Sequence, residues 1–268
     1  MEPSRLSDRA VISLSGPEAR GFLQNLVSND VDTLAPGRGL YAALLSPQGK
    51  IGFDFLIAEG DGAILLDVAA NARDVLLKKL KMYRLRTKVE IEARDGLGVY
   101  AALTGDAVQR TVHFLDPRHP GLPPRGIGAV AEMPAAMAGP DAYHALRLQL
   151  GIPESADFGF EKIFALDGGL DELQAISFEK GCYVGQELTA RMKHRATSRK
   201  RPLTVTATEA LPPPGTAVTQ DGDIGEIIGA HGPRGFASVR LDKWDPAQAA
   251  SAGGIAVTLN KPEWLAHG

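Results

Sequence analysis

The sequence predicts an α+β protein of antiparallel sheets that ends in a small all-β module. Two observations predict it. Tight turns join short apolar strands through the first third of the chain, with helical stripes between them. After Pro202 the helical spacing stops and only strand-like runs remain.

Residues 10–14 read as the first strand. Ser15-Gly-Pro-Glu18 has capping-box spacing, with Ser15 as N-cap and Glu18 reaching back, and Ala19, Phe22, Leu23 and Leu26 follow at helical spacing. Strands at 40–45, 51–57 and 63–68 are joined by the turns Ser46-Pro-Gln-Gly49 and Glu59-Gly-Asp-Gly62, which implies antiparallel pairing. A helix over 71–82 turns Val75, Leu76 and Leu80 inward and Lys78, Lys79 and Lys81 outward, and strands follow at 88–93 and 99–103. Residues 116–140, with Pro117, Pro120, Pro123 and Pro124 close together, read as a long connection. A helix over 140–150 stops at Gly151 and Pro153. Past Arg199-Lys-Arg-Pro202, residues 203–208, 216–219, 224–230, 236–241 and 255–259 are strands separated by turn residues, as in a barrel or sandwich. The expected domains are 1–198, in two subdomains with a linker near 116–140, and 199–268.

The chain has 268 residues, 44% hydrophobic and 23% charged, with a formal net charge of −3. That composition excludes a disordered or fibrous chain and argues against bulk nucleic-acid binding, while leaving a local basic patch open. No apolar run approaches the roughly 18 residues of a membrane span. The opening Met1-Glu-Pro-Ser-Arg-Leu-Ser-Asp8 shows no secretory signal, so a cytoplasmic location is expected. Cys182 is the only cysteine, which excludes an intrachain disulfide and a zinc site of paired thiolates. The six histidines are scattered, and phosphate-loop, dinucleotide and nucleophile-elbow motifs are absent. No metal site is expected.

The informative segment is Phe178-Glu-Lys-Gly-Cys-Tyr-Val-Gly-Gln-Glu-Leu-Thr-Ala-Arg-Met192. Its glycines suggest a tight turn at Gly181 and a bend at Gly185. From Gln186 the spacing is helical, with Leu188 and Met192 on one face. Cys182 would then lie just before a helix N-terminus and two residues from Lys180. Both the helix dipole and the cation favour thiolate. The alternative is a small buried apolar residue beside a turn.

Lys180-Gly-Cys-Tyr-Val-Gly-Gln-Glu187 resembles the signature of the YgfZ-type folate-binding proteins, relatives of aminomethyltransferase, the T-protein of the glycine cleavage system. Phe22-Leu-Gln-Asn-Leu-Val-Ser-Asn-Asp30, Ser46-Pro-Gln-Gly-Lys50 and Tyr83-Arg-Leu-Arg-Thr-Lys-Val89 resemble the family's first helix and turn, first hairpin and helix-to-strand segment. The resemblance implies antiparallel ferredoxin-like subdomains around a central cavity that takes tetrahydrofolate or another reduced folate, the last a small β-barrel. It also implies an accessory role in maturing or repairing iron–sulfur enzymes, among them radical enzymes that thiolate tRNA.

The resemblance nominates the site residues. Cys182 and Lys180 are the reactive pair at the cavity rim. Asp54 falls where the T-protein relatives carry adjacent acids, but position 53 is phenylalanine, so one acid is missing. By alternation Asp54 lies opposite Phe53 and Phe55, lining a cavity or facing water. Arg147 either pairs with the glutamate tail of folate or is an exposed helix residue. Gln186 and Glu187 either hydrogen-bond a pterin or cap their helix. Arg191–Arg201 holds six Lys/Arg in eleven residues, which reads as a solvated linker or a dock for an acidic partner, an RNA backbone or a folate tail. Without interleaved aromatics, direct nucleic-acid binding is not expected. The favoured function is a non-enzymatic folate-binding factor for iron–sulfur enzymes or assembly proteins. The alternative is a folate-dependent aminomethyl or methyl transferase with Asp54 as its acid.

Overall fold

The computed structural model describes residues 2–60, 62–102, 111–133, 137–195 and 199–266. The chain forms two compact units. One comprises Met1–Leu44, Phe53–Leu146 and Gln174–Val184, the other Leu45–Gly52, Arg147–Leu173 and Gly185–Gly268. In chain order the elements begin with β1 (Ser4–Arg5), β2 (Arg9–Ser15), α1 (Ala19–Gln24), β3 (Leu40–Leu45), β4 (Ile51–Gly60) and β5 (Ala63–Ala69). Then come α2 (Arg73–Arg84), β6 (Glu90–Ala93), β7 (Leu97–Ala101), β8 (Val112–Phe114), β9 (Arg125–Ala129), α3 (Asp141–Gln149), α4 (Ser155–Phe158) and α5 (Gln186–Arg195). The barrel strands are β10 (Lys200–Thr206), β11 (Ala217–Thr219), β12 (Asp223–His231), β13 (Arg234–Arg240), β14 (Ala250–Ala252) and β15 (Ile255–Asn260).

The first unit holds a five-stranded sheet in the order β3-β4-β5-β2-β6, with β5 antiparallel to both β4 and β2. Alternation sends Ile12, Leu14, Phe53, Phe55, Ile57, Leu66 and Val68 into one core with Phe22 and Leu23 of α1 and Leu76 and Leu80 of α2. Val75, expected inward, is 57% exposed, because Leu76 and Leu80 already fill the buried stripe. The capping box expected at Ser15 does not form. Ser15 still belongs to β2, Gly16 turns the chain at φ 104°, and the Glu18 carboxylate accepts the Lys88 N–H instead.

A second sheet in the same unit has the order β1-β7-β9-β8. It corrects the long connection expected over 116–140, since β9 runs antiparallel between β7 and β8. The glycines of Arg125-Gly-Ile-Gly-Ala129 lie within the strand; a methyl on Gly128 would come within 2.7 Å of the Thr111 hydroxyl and 2.6 Å of the end of the Met133 side chain. Leu103, placed in a strand by the sequence, lies outside the described residues, as do Asp61, 134–136 and 196–198.

The opposite face of the five-stranded sheet carries a buried charged cluster beside apolar residues such as Val11, Leu56 and Leu65. Arg9 Nε donates to Asp67 Oδ1 at 2.6 Å, and Arg125 Nη1 reaches Asp67 Oδ2 at 2.7 Å. Arg125 and Arg118 both contact Asp116, and both donate to the Tyr143 hydroxyl. Arg118 also lies over the Tyr41 ring, whose hydroxyl donates to Asp54 at 2.8 Å. Burial opposes charge on Asp116, but Arg118 and Arg125 outweigh it and hold the carboxyl below its ordinary value. Such a cluster is costly to break, because losing one partner strands a buried charge at about 3–5 kcal/mol.

In the second unit β10-β13-β12-β11-β14-β15 close into a barrel around Leu203, Val205, Val218, Ile227, Ala237 and Val239. Closure removes sheet edges, and β14, too short to read from sequence, is needed for it. The barrel's compact unit also takes in stretches from before residue 199. The hairpin tip 45–52 is among them, with the Ile51 N–H on the Ile163 carbonyl and the Ala165 N–H on the Gly49 carbonyl.

Candidate functional site

Two of the singled-out segments, 22–30 and 180–184, meet in the first unit. Ser28 ties the first to the residues just before the second: its hydroxyl donates to the Ala175 carbonyl at 2.6 Å, and its carbonyl accepts the Ser177 N–H. The Asn29 amide donates to the Gln174 and Tyr41 carbonyls. Lys180 completes the junction. Its ammonium donates to the carbonyls of Gln24, Val27 and Asn29 at 2.7, 2.7 and 2.8 Å, and it lies 5.3 Å from the centroid of the buried Tyr183 ring. The three protons of the ammonium meet three carbonyl acceptors left at the end of α1 and the turn after it. The structure thus gives Lys180 an anchoring role that the expectation of a reactive pair with Cys182 did not include.

Cys182 itself is exposed. It sits between the Lys180 anchor and Tyr183, with Val184 packed against the core, so an outward thiol rides on a loop held from both sides. The tight turn expected at Gly181 is not required by its backbone, whose φ is not in the left-handed region, and a side chain there would meet nothing within 4 Å. Gly185 is different. Its φ of 82° and the 2.5 Å from an added Cβ to the Ser46 carbonyl oxygen both demand glycine. Helix α5 starts after that bend, at Gln186.

Arg147 is neither exposed nor free for a ligand tail. Its guanidinium is buried against the chain's own Glu154 at 3.1 Å and Asp157 at 2.7 Å, and donates to the Ile152 carbonyl. A capping box on α4 orients those two acids, and Asp157 also contacts His231 of β12 at 2.6 Å. This corrects its expected pairing with folate. Asp54 is buried rather than solvated, because its face of the sheet carries the Tyr41–Arg118 cluster. Glu187 is exposed and pairs with Arg191 one turn on, and Gln186 is half-buried at the start of α5. In the basic run Lys193 pairs with Asp171, Arg199 with Asp242, and Arg201 donates to the Leu166 carbonyl. Among the described residues no group of three or more His, Cys, Asp or Glu is placed to hold a metal ion. No described helix is long and apolar enough to cross a membrane.

Comparison with known proteins places this geometry. Residues 199–267 match the family described as CAF17, C-terminal beta-barrel domain. The whole fold is similar to the glycine cleavage system aminomethyltransferase T of Bartonella henselae, with a TM-score of 0.76 at 14% identity, over 98% of this chain and 85% of that one. A mouse protein, iron-sulfur cluster assembly factor IBA57, mitochondrial, is 30% identical over 311 residues, covering 97% of this chain and 84% of the relative. The chain belongs to the IBA57 family. A Neurospora crassa member, iron-sulfur cluster assembly factor IBA57 homolog, mitochondrial, is 31% identical, and the chain spans 52% of its length. The human member is 29% identical over 97% of this chain. All three are mitochondrial by name, which overturns the cytoplasmic location expected above. Composition and a lone thiol separate oxidising from reducing compartments and do not separate one reducing compartment from another.

Proposed function

We propose that this chain is an accessory factor in iron–sulfur cluster assembly whose single thiol, Cys182, contacts the cluster as it passes to a client. The observation that carries the reading is an exposed, lone cysteine on an anchored loop in a member of the IBA57 family. A cluster is cargo here, and it needs about four protein ligands. One thiolate supplies one of them, so the others come from a partner, an iron–sulfur enzyme or assembly protein. Radical enzymes that thiolate tRNA are proposed clients on the strength of the YgfZ-type signature at 180–187. Depleting the chain from its own cells is expected to lower the activity of cluster enzymes while their polypeptides persist. Unchanged activities would contradict the role.

Tetrahydrofolate is the proposed ligand, supported by the same signature and by the likeness to an aminomethyltransferase fold. Calorimetric titration of the full chain is expected to give saturable, one-site heat. A flat titration would remove folate and leave the assembly role standing. The transferase alternative gains nothing from the geometry, because Asp54 is engaged by Tyr41 and its neighbour Phe53 belongs to the core.

A further inference from the structure

We propose that the C-terminal end of α2 and the turn that follows it dock an acidic face of a protein partner, with Leu85 and Met82 as the apolar contacts and cations around them. The proposal rests on the assembly role above, which requires a second protein.

Leu85 carries the inference. The Thr87 N–H donates to the Arg84 carbonyl at 2.8 Å, closing a four-residue turn in which Leu85 is the first central residue. Its φ of 47° and ψ of −111° are those of a type II′ turn, where glycine is the usual occupant. Leu85 is also 87% exposed. Backbone strain and solvent exposure both disfavour leucine here in the isolated chain, and glycine would satisfy the turn without either cost. Met82 is 67% exposed, and Val75 lies two turns before it on the same side of α2.

Along this stretch of sequence the charge has one sign, and Glu18 is the acid brought against it, accepting the Lys88 N–H. From Val75 to Val89 the sequence contains Lys78, Lys79, Lys81, Arg84, Arg86 and Lys88 and no acid. Lys79 lies over the Phe53 ring, while the other five are exposed. Lys81 and Arg84, in the last turn, have an ordinary role against the helix dipole. That role does not extend to Arg86 and Lys88, and it gives no account of Leu85.

The chemistry selects the occupant. A second copy on the same face would set cation against cation. An RNA backbone would use the cations and leave Leu85 and Met82 without purpose. An anionic bilayer is broad, and at the other end of α2 it would meet Asp74 and Asp95, both paired with Arg73 and both largely exposed. An acidic protein surface of limited footprint avoids those carboxylates, buries the apolar tip and leaves the cations at its rim.

The test uses Leu85→Gly and the double variant Arg84→Glu/Arg86→Glu in the full chain, with Cys182→Ser alongside. Leu85→Gly is expected to unfold at the same midpoint as the parent or a higher one. Both surface variants are expected to cut rescue of cluster-enzyme activity in depleted cells by about tenfold, the size of effect that lost steering and contact at one interface produce. The parent is expected to bind neither phosphatidylglycerol-containing vesicles nor a single-stranded oligoribonucleotide. Full rescue by either surface variant would overturn the docking surface. Charge-dependent binding of the parent to vesicles or RNA would overturn the protein occupant. If Cys182→Ser fails while the surface variants rescue, the docking inference falls and the assembly role stands. If Cys182→Ser rescues and the surface variants fail, the surface stands and the thiol role falls.

Discussion

Replacing Lys180 by methionine is expected to lower the unfolding free energy by about 3 kcal/mol and to release the loop that carries Cys182. Methionine keeps the stem's bulk and removes every donor. The carbonyls of Gln24, Val27 and Asn29 then lose the ammonium that joins them, and each stranded carbonyl costs roughly 1 kcal/mol or more. The Ser28 and Asn29 bonds remain, so the unit still folds. Denaturant unfolding measures the loss, and hydrogen exchange over 174–184 locates it. A variant as stable as the parent, with unchanged exchange there, would deny the anchor.

The same residue gives a pH signature. Burial pulls Lys180 down to about 8 from the ordinary 10.5, with Asp30 and Asp32 pulling the other way. Between those values the unfolded chain binds more protons at this group than the folded chain does. Stability from this group therefore rises with pH across that window, by at most about 1.4 kcal/mol per pH unit, and levels off above it. The methionine variant lacks the rise. Parallel stability curves for the two proteins from pH 8 to 10.5 would contradict it.

Local chemistry made much of the fold legible. The hairpins β3-β4 and β4-β5 follow from Ser46-Pro-Gln-Gly49 and the glycines near 60, and the barrel strands follow from their turns. Strand β9 was hidden because two of its five residues are glycines, which imitate a loop, and Gly128 packs closely on Met133 and Thr111. The capping box failed because Glu18 has a better donor in the Lys88 N–H, contributed by a segment seventy residues away in sequence. The site divides the same way. The singled-out segments 22–30 and 180–184 do meet, but what Lys180 does there depends on carbonyls about 150 residues earlier in the chain. Arg147 and Asp54 are ligand or surface groups on the family resemblance and, for Asp54, on strand alternation. Their true partners come from Glu154 and Asp157 in one case and Tyr41 in the other, and spacing on one helix or strand does not reveal those. The turn at Leu85 was beyond sequence reading for a related reason, since leucine rarely occupies that backbone region.

Cys182→Ser tests the central claim most directly, because serine keeps the size and exposure of the residue and removes the soft ligand. The measurement is cluster-enzyme activity in depleted cells supplied with the parent or the variant at equal protein level. Activity that falls to that of cells given no protein, with the variant's unfolding midpoint unchanged, is the predicted result. Activity restored to the parent's level would show that the thiol takes no part.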